Sequence, residues 1–91
     1  MSALSGDKVY VGVVAAFRGD GMITPRQIIW EDGRRFDIDR VSDVRPAAAM
    51  KAGGSGDRYT VWINGARRYL FFERSAAISG SNIGRWFIER R

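Results

Sequence analysis

The sequence predicts an all-β fold: a small antiparallel barrel, SH3-like first, with an OB-like barrel or a bent open sheet as alternatives. Three observations carry this. The run Arg58–Arg74, RYTVWINGARRYLFFER, holds two alternating apolar segments joined by Asn64-Gly65, a strong hairpin signal. A second turn dipeptide, Asp32-Gly33, joins another pair of apolar segments. About six strand-like runs recur along the chain at intervals of about eight to twelve residues, with at most one short helix and no alternation of strand and helix. The 91 residues show no internal change of composition, so residues 1–91 form one domain.

Residues 1–7 are small and polar and are expected to be flexible. From Lys8 to Arg18, Val9, Val11, Val13, Ala15 and Phe17 share one face. The other face, Tyr10, Gly12, Val14 and Ala16, is apolar too, which suggests a strand that is central or curved, with Gly12 a bend or bulge. The next strand runs from Met22 to Glu31. Pro25 inside it cannot donate to a ladder, so this strand is expected at an edge or with a bulge.

A two-residue turn at Asp32-Gly33 leads into Arg34–Val41. Counting outward sets Trp30 opposite Arg35 and Ile29 opposite Phe36, with Ile29, Phe36 and Ile38 facing the core. Apolar positions then shift to Val41 and Val44, an odd spacing that calls for a bulge or a corner between sheets. Pro46–Ala52, followed by Gly53, suits one or two helical turns, and Gly53–Gly56 is a flexible connection.

In the Asn64-Gly65 hairpin a type I′ turn sets Ile63 opposite Ala66. Tyr59, Val61, Ile63, Leu70 and Phe72 then form a core face, and Arg58, Thr60, Trp62, Arg67, Tyr69 and Phe71 form the other. Residues 75–84 are small and polar and read as a long, mobile loop. A closing strand follows, with Trp86 and Ile88 on one face and Phe87 on the other. The Pro25 strand and Arg85–Arg91 are the expected sheet edges. Each hairpin repeats Trp, one residue, Asp or Asn, Gly, and an Arg five positions after Trp, which predicts cross-strand pairs of Trp30 with Arg35 and Trp62 with Arg67.

Composition excludes several chemistries. Without cysteine there is no disulfide framework or thiolate site. Without histidine, the commonest general base and metal ligand is missing. Glu31, Asp32, Asp37, Asp39 and Asp43 stand among arginines and read as surface ion pairs. Lys51-Ala-Gly-Gly-Ser-Gly lacks the ending of a phosphate-binding loop. The chain is therefore expected to be no enzyme and to need no metal or cofactor. It has no basic leader followed by an apolar run and no membrane-length apolar segment, so it reads as soluble and cytoplasmic.

Thirteen Arg, two Lys and a net charge of +5 bias the chain toward anionic partners, although such a charge also serves ordinary solubility. The stretch Gly21-Met-Ile-Thr-Pro-Arg-Gln-Ile-Ile-Trp-Glu-Asp-Gly-Arg-Arg-Phe-Asp-Ile, with the later Arg-Tyr and Trp-Phe strands, resembles a loose group of small bacterial single-domain β proteins of unknown function. That resemblance spans Val9 to Glu89. It implies a single β domain, and a link to nucleic-acid metabolism through members encoded near translesion polymerases, but no active site.

Aromatic rings interleaved with arginines suit a single strand, because bases stack on rings while guanidinium groups meet phosphates. The expected binding residues are Arg58, Trp62, Arg67, Tyr69 and Phe71, with Trp30 and Arg35 as a second site. The alternative is a protein-interaction or homodimerisation module, in which the same aromatic surface is covered by protein.

Overall fold

The computed structural model describes residues 7–47, 56–79 and 82–90. Among these residues seven strands follow one another: β1 (Asp7–Phe17), β2 (Ile23–Ile29), β3 (Arg35–Asp37), β4 (Arg40–Ala47), β5 (Gly56–Ile63), β6 (Ala66–Ser79) and β7 (Asn82–Arg90). They form one antiparallel sheet in the order β3-β2-β1-β7-β6-β5-β4, curled into a half-barrel. Among the described residues no helix is long and apolar enough to cross a membrane.

The curl has local causes. β1 pairs with β7 as far as Val11 and with β2 from Gly12 onward, so the two-sided apolar pattern belongs to a strand that changes partner at its glycine. A side chain at Gly12 would stand 3.3 Å from Ile29 Cβ. In β2 the pairing passes from Pro25 to Gln27, leaving Arg26 as the extra residue of a bulge. In β4 it passes from Val41 to Asp43, leaving Ser42 out. Each bulge sharpens the local twist.

The odd spacing after Ile38 is the corner that closes the sheet. Ile38 N–H donates to Arg26 O at 2.9 Å and the next amide, Asp39 N–H, donates to Trp62 O at 2.7 Å. Successive amides of an extended chain point to opposite sides, so this two-residue link joins β2 to β5. On either side of it β3 and β4 diverge, and two clefts open where the sheet ends part.

Four sequence expectations are corrected. The Asp32-Gly33 hairpin is not a two-residue turn. Gly33 N–H bonds to Trp30 O and Trp30 N–H to Arg34 O, and only Gly33 has positive φ, at 90°. That is a three-residue turn whose extra residue slips the register by one. Ile28, not Ile29, stands opposite Phe36 and enters the core, and Arg35 faces Ile29 rather than Trp30. A one-residue slip exchanges the two faces of a strand.

Second, Pro46 and Ala47 are paired with Asp57 and Gly56 in β4 and are not helical; residues 48–52 of the expected helix lie outside the described residues. Third, the supposed loop 75–84 contains the end of β6 and the start of β7, with Ser79 paired to Asn82. Fourth, the sheet edges are β3 and β4, because β2 and β7 each have two neighbours. At the amino terminus Asp7 pairs with Arg90, and residues 1–6 lie outside the described residues.

The Asn64-Gly65 hairpin keeps its expected register throughout, with φ of 52° and 79° at the two turn residues. Tyr59, Val61, Leu70 and Phe72 are buried with Ile28, and Val11, Val13, Ile38, Val41, Ile63, Trp86 and Ile88 pack around them. Tyr59 also donates its hydroxyl to Ile23 O at 3.0 Å, tying β5 to β2 across the interior. Burial of its ring pushes the Tyr59 phenol pKa upward.

A smaller cluster sits on the opposite face of the sheet. Phe87 is fully buried there, stacked on Phe71 at 5.0 Å between ring centres, met edge-on by Tyr10 and capped by Lys8 Nζ at 4.8 Å. Glu73 fixes its rim. It accepts from Lys8 Nζ and Tyr10 Oη, both at 3.0 Å, and forms an ion pair with Arg85 at 3.4 Å. The Lys8 hydrogen bond, followed by that of Tyr10, holds the Glu73 pKa below its ordinary value.

A carboxyl whose folded pKa is depressed adds stability above its unfolded value, and loses it as pH falls through the folded value. The thermal midpoint of the native chain is therefore expected to drop below about pH 4.5 more steeply than that of Glu73→Gln, with the two converging in acid. Parallel thermal melts at neutral and acid pH check this; a constant gap between the two proteins would contradict it.

Candidate nucleic-acid interface

The outer face of β4, β5 and β6 gathers arginines and aromatic rings because the type I′ register sets odd residues of β6 beside even residues of β5. Arg40, Trp62 and Arg67 form one row across the three strands; Asp43, Thr60 and Tyr69 form the next; Arg45, Arg58 and Phe71 the third. Adjacent strands lie about 4.8 Å apart, so the rows form one continuous surface.

The rings and cations pair differently from expectation. Arg40 from β4, not Arg67, lies over Trp62, with its guanidinium 4.8 Å from the ring centre. Trp62 is held in plane by its indole N–H, which donates to Ser42 Oγ at 3.2 Å. Arg67 stands opposite Trp62 as expected, but its guanidinium turns to Tyr69 at 5.9 Å, and Arg58 approaches the same ring at 4.7 Å. Each such contact contributes about 0.5–1 kcal/mol at an exposed site.

Many of the described cations are neutralised, among them Arg45 on this same face. Arg18, Arg34, Arg45, Arg74, Arg85 and Lys8 each meet a carboxylate within 3.4 Å. Among the described residues, Arg40, Arg58 and Arg67 meet none, and their partners are the rings. Arg58 Nε is moreover buried with no hydrogen-bond acceptor among the described residues, an unmade bond of the kind that costs about 1–3 kcal/mol. Glu89 marks the acidic margin of the face, sharing a small hollow with Tyr69 and Phe71.

The five residues expected at this site do share the face, but not equally. Tyr69 is 43% exposed and Arg67 is exposed, whereas Trp62, Arg58 and Phe71 are partly covered. One side of Phe71 is taken by Phe87. The second expected site, Trp30 with Arg35, is not assembled. The longer turn separates the pair, Arg35 donates to Gln27 Oε1 at 3.0 Å, and Trp30 lines a cleft with Arg34 instead. The carboxylates read as ion-paired include Asp32 with Arg34 and Asp43 with Arg45, both at 2.7 Å. Backbone and side-chain hydrogen bonds from Arg34 hold the Asp32 pKa below its usual value.

Arg40 is the residue that sequence reasoning missed. Its place beside Trp62 depends on the Ile38–Asp39 corner bringing β4 against β5, and the spacing Ile38, Val41, Val44 was the only sequence sign of that corner.

The face offers flat π surfaces, guanidinium planes and uncompensated positive charge, and no group of three His, Cys, Asp or Glu able to hold a metal occurs among the described residues. Such a surface can stack planar rings and bind anions. Comparison of the chain with family models, with curated proteins and with solved structures finds no match.

Proposed function

We propose that the protein is a non-enzymatic binding module that takes single-stranded nucleic acid on the outer face of β4–β6. One observation carries the reading: Arg40, Arg58 and Arg67 are stacked on Trp62 and Tyr69 and have no carboxylate partner among the described residues, while most other cations are neutralised. Bases stack on aromatic and guanidinium planes, and phosphates accept from the guanidinium edges. A duplex hides its base faces, so a single strand is the ligand that uses both.

Fluorescence anisotropy with labelled single-stranded and duplex oligonucleotides tests this. Each base stack contributes about 1–3 kcal/mol, so Trp62→Ala/Tyr69→Ala is expected to weaken single-strand binding roughly a hundredfold or more while the chain stays folded. Preference for the duplex, or unchanged binding by the double variant, would refute the reading.

A second reading, protein interaction through the cleft between β2 and β4, is favoured by one feature. Met22 and Val44, which line it, are 46% and 37% exposed, and Phe17 nearby in β1 is 67% exposed. An SH3-like barrel, the finer architecture that the curled meander supports, has unpaired strand edges of this sort, to which an extended peptide can add.

A further inference from the structure

We propose that the cleft on the other side of the Ile38–Asp39 corner is a binding site for a small amphipathic anion, an aromatic carboxylate or a ligand of like chemistry, held by Arg68. The cleft, of about 620 Å³, lies between the β2–β3 hairpin and the β5–β6 turn, within the size range of small-molecule sites. Its walls include Ile28, Trp30, Phe36, Ile63, Tyr69 and Ile88, and among the described residues no Asp or Glu lines it.

Arg68 is what gives the cleft a chemistry. On β6 it stands opposite Val61, which is fully buried, and two residues before Leu70, also fully buried. It thus occupies a core-facing position of the strand pattern, where an apolar residue would be the ordinary choice. Instead it lines the cleft beside Ile63 and Ile88, exposed at its mouth, and forms no ion pair among the described residues. Glu89 shares only the smaller neighbouring hollow with it.

Arg34, the second cation of the cleft, is already paired with Asp32 at 2.7 Å and lies over Phe36 at 5.6 Å. Arg68 is therefore the charge left for a ligand. An apolar body among Trp30, Phe36 and Ile63 with one anionic group at Arg68 satisfies both halves of the site. A guanidinium binds a carboxylate through two parallel hydrogen bonds, so a planar carboxylate is favoured over a neutral or cationic analogue. This site shares the Tyr69 ring with the outer face of β4–β6, but its cation, Arg68, is none of the arginines assigned there, and it does not depend on nucleic-acid binding.

Naphthoate and the cation naphthylmethylammonium, similar in shape and opposite in charge, are the probes. Each is titrated into the full chain, with binding read by calorimetry and by shifts of the backbone and indole amide resonances. Naphthoate is expected to bind at least tenfold more tightly than the cation and to shift Trp30, Phe36, Ile63 and Arg68. Arg68→Ala should weaken it about tenfold, the loss expected for one charge-assisted pair. Arg68→Lys, which keeps the charge but not the paired hydrogen bonds, should fall between the native chain and Arg68→Ala, and Arg67→Ala, on the opposite face of the strand, should leave the affinity unchanged.

Equal binding of the two probes, shifts centred away from the cleft, affinity indifferent to Arg68→Ala, or no binding of naphthoate would each overturn the proposal. Oligonucleotide binding measured on the same Arg68→Ala protein is expected to change less than twofold, which separates this site from the outer face.

Discussion

Phe87→Ala is expected to cost about 3–5 kcal/mol of folding stability, the range for removing a fully buried phenylalanine. A chain of 91 residues has on the order of 5–14 kcal/mol in all, so this one change consumes a large part of it. The size of the effect follows from where Phe87 sits. Trp86 and Ile88 of the same strand face the main core, and Phe87 supports the opposite face by stacking on Phe71 and meeting Tyr10. Its loss would leave a cavity under β1, β6 and β7, lined by rings from separate strands that cannot collapse together without bending the sheet. Phe17→Ala, at a position 67% exposed, is the control and should change stability by less than about 0.5 kcal/mol. Urea unfolding measures both; a loss near 1 kcal/mol or less at Phe87 would mean that the outer cluster contributes little.

Gly84→Ala is expected to cost about 3 kcal/mol or more. Gly84 has φ of 155°, and an added Cβ would stand 2.5 Å from Glu73 O and 2.6 Å from Phe72 Cζ. Neither neighbour can retreat cheaply. The first is backbone in the β6–β7 ladder, and the second is a ring packed on Trp86 at 4.8 Å in the core. Backbone incompatibility and overpacking thus act together. The comparison is Gly19→Ala, where an added Cβ meets nothing within 4 Å and little change is expected. Equal stability of the two variants by urea unfolding would contradict the close approach of β6 and β7 at Gly84.

The pattern of these effects shows which parts of the fold were legible in the sequence. The Asn64-Gly65 hairpin is legible pair by pair, because Asn and Gly together favour positive φ at both turn positions and so the two-residue turn. Asp32-Gly33 looked equivalent and was not. Asp32 stays out of the left-handed region, and the third loop residue, Glu31, moves every later pairing by one position. A dipeptide does not fix its own loop length, so the faces of Ile28 and Ile29 were exchanged and the Trp30–Arg35 pair was lost.

Residues 75–79 read as loop in the sequence because the stretch 75–84 is small and polar with no clear period. Their strand follows the ladder formed by Phe71, Phe72, Glu73 and Arg74 and, after a shift of register, pairs again where Ser79 meets Asn82, a tertiary effect that single-residue preferences do not carry. The candidate site was half legible. Arg58, Arg67, Trp62 and Tyr69 share one hairpin and could be counted onto one face. Arg40 reaches that face only through the Ile38–Asp39 corner, and Arg68 stood at an inward position that the reading assigned to neither face.

The central claim is that Arg40, Arg58 and Arg67 bind phosphates, and the salt dependence of oligonucleotide affinity tests it most directly. Each phosphate neutralised on a single strand contributes about −0.7 to the slope of log affinity against log salt, so three cations predict a slope near −2. Arg40→Gln/Arg58→Gln/Arg67→Gln, with Trp62 and Tyr69 intact, should bind more weakly and with a slope close to zero. A folded triple variant that kept the native affinity and the native slope would contradict the claim, and would move the anion-binding surface elsewhere on the molecule.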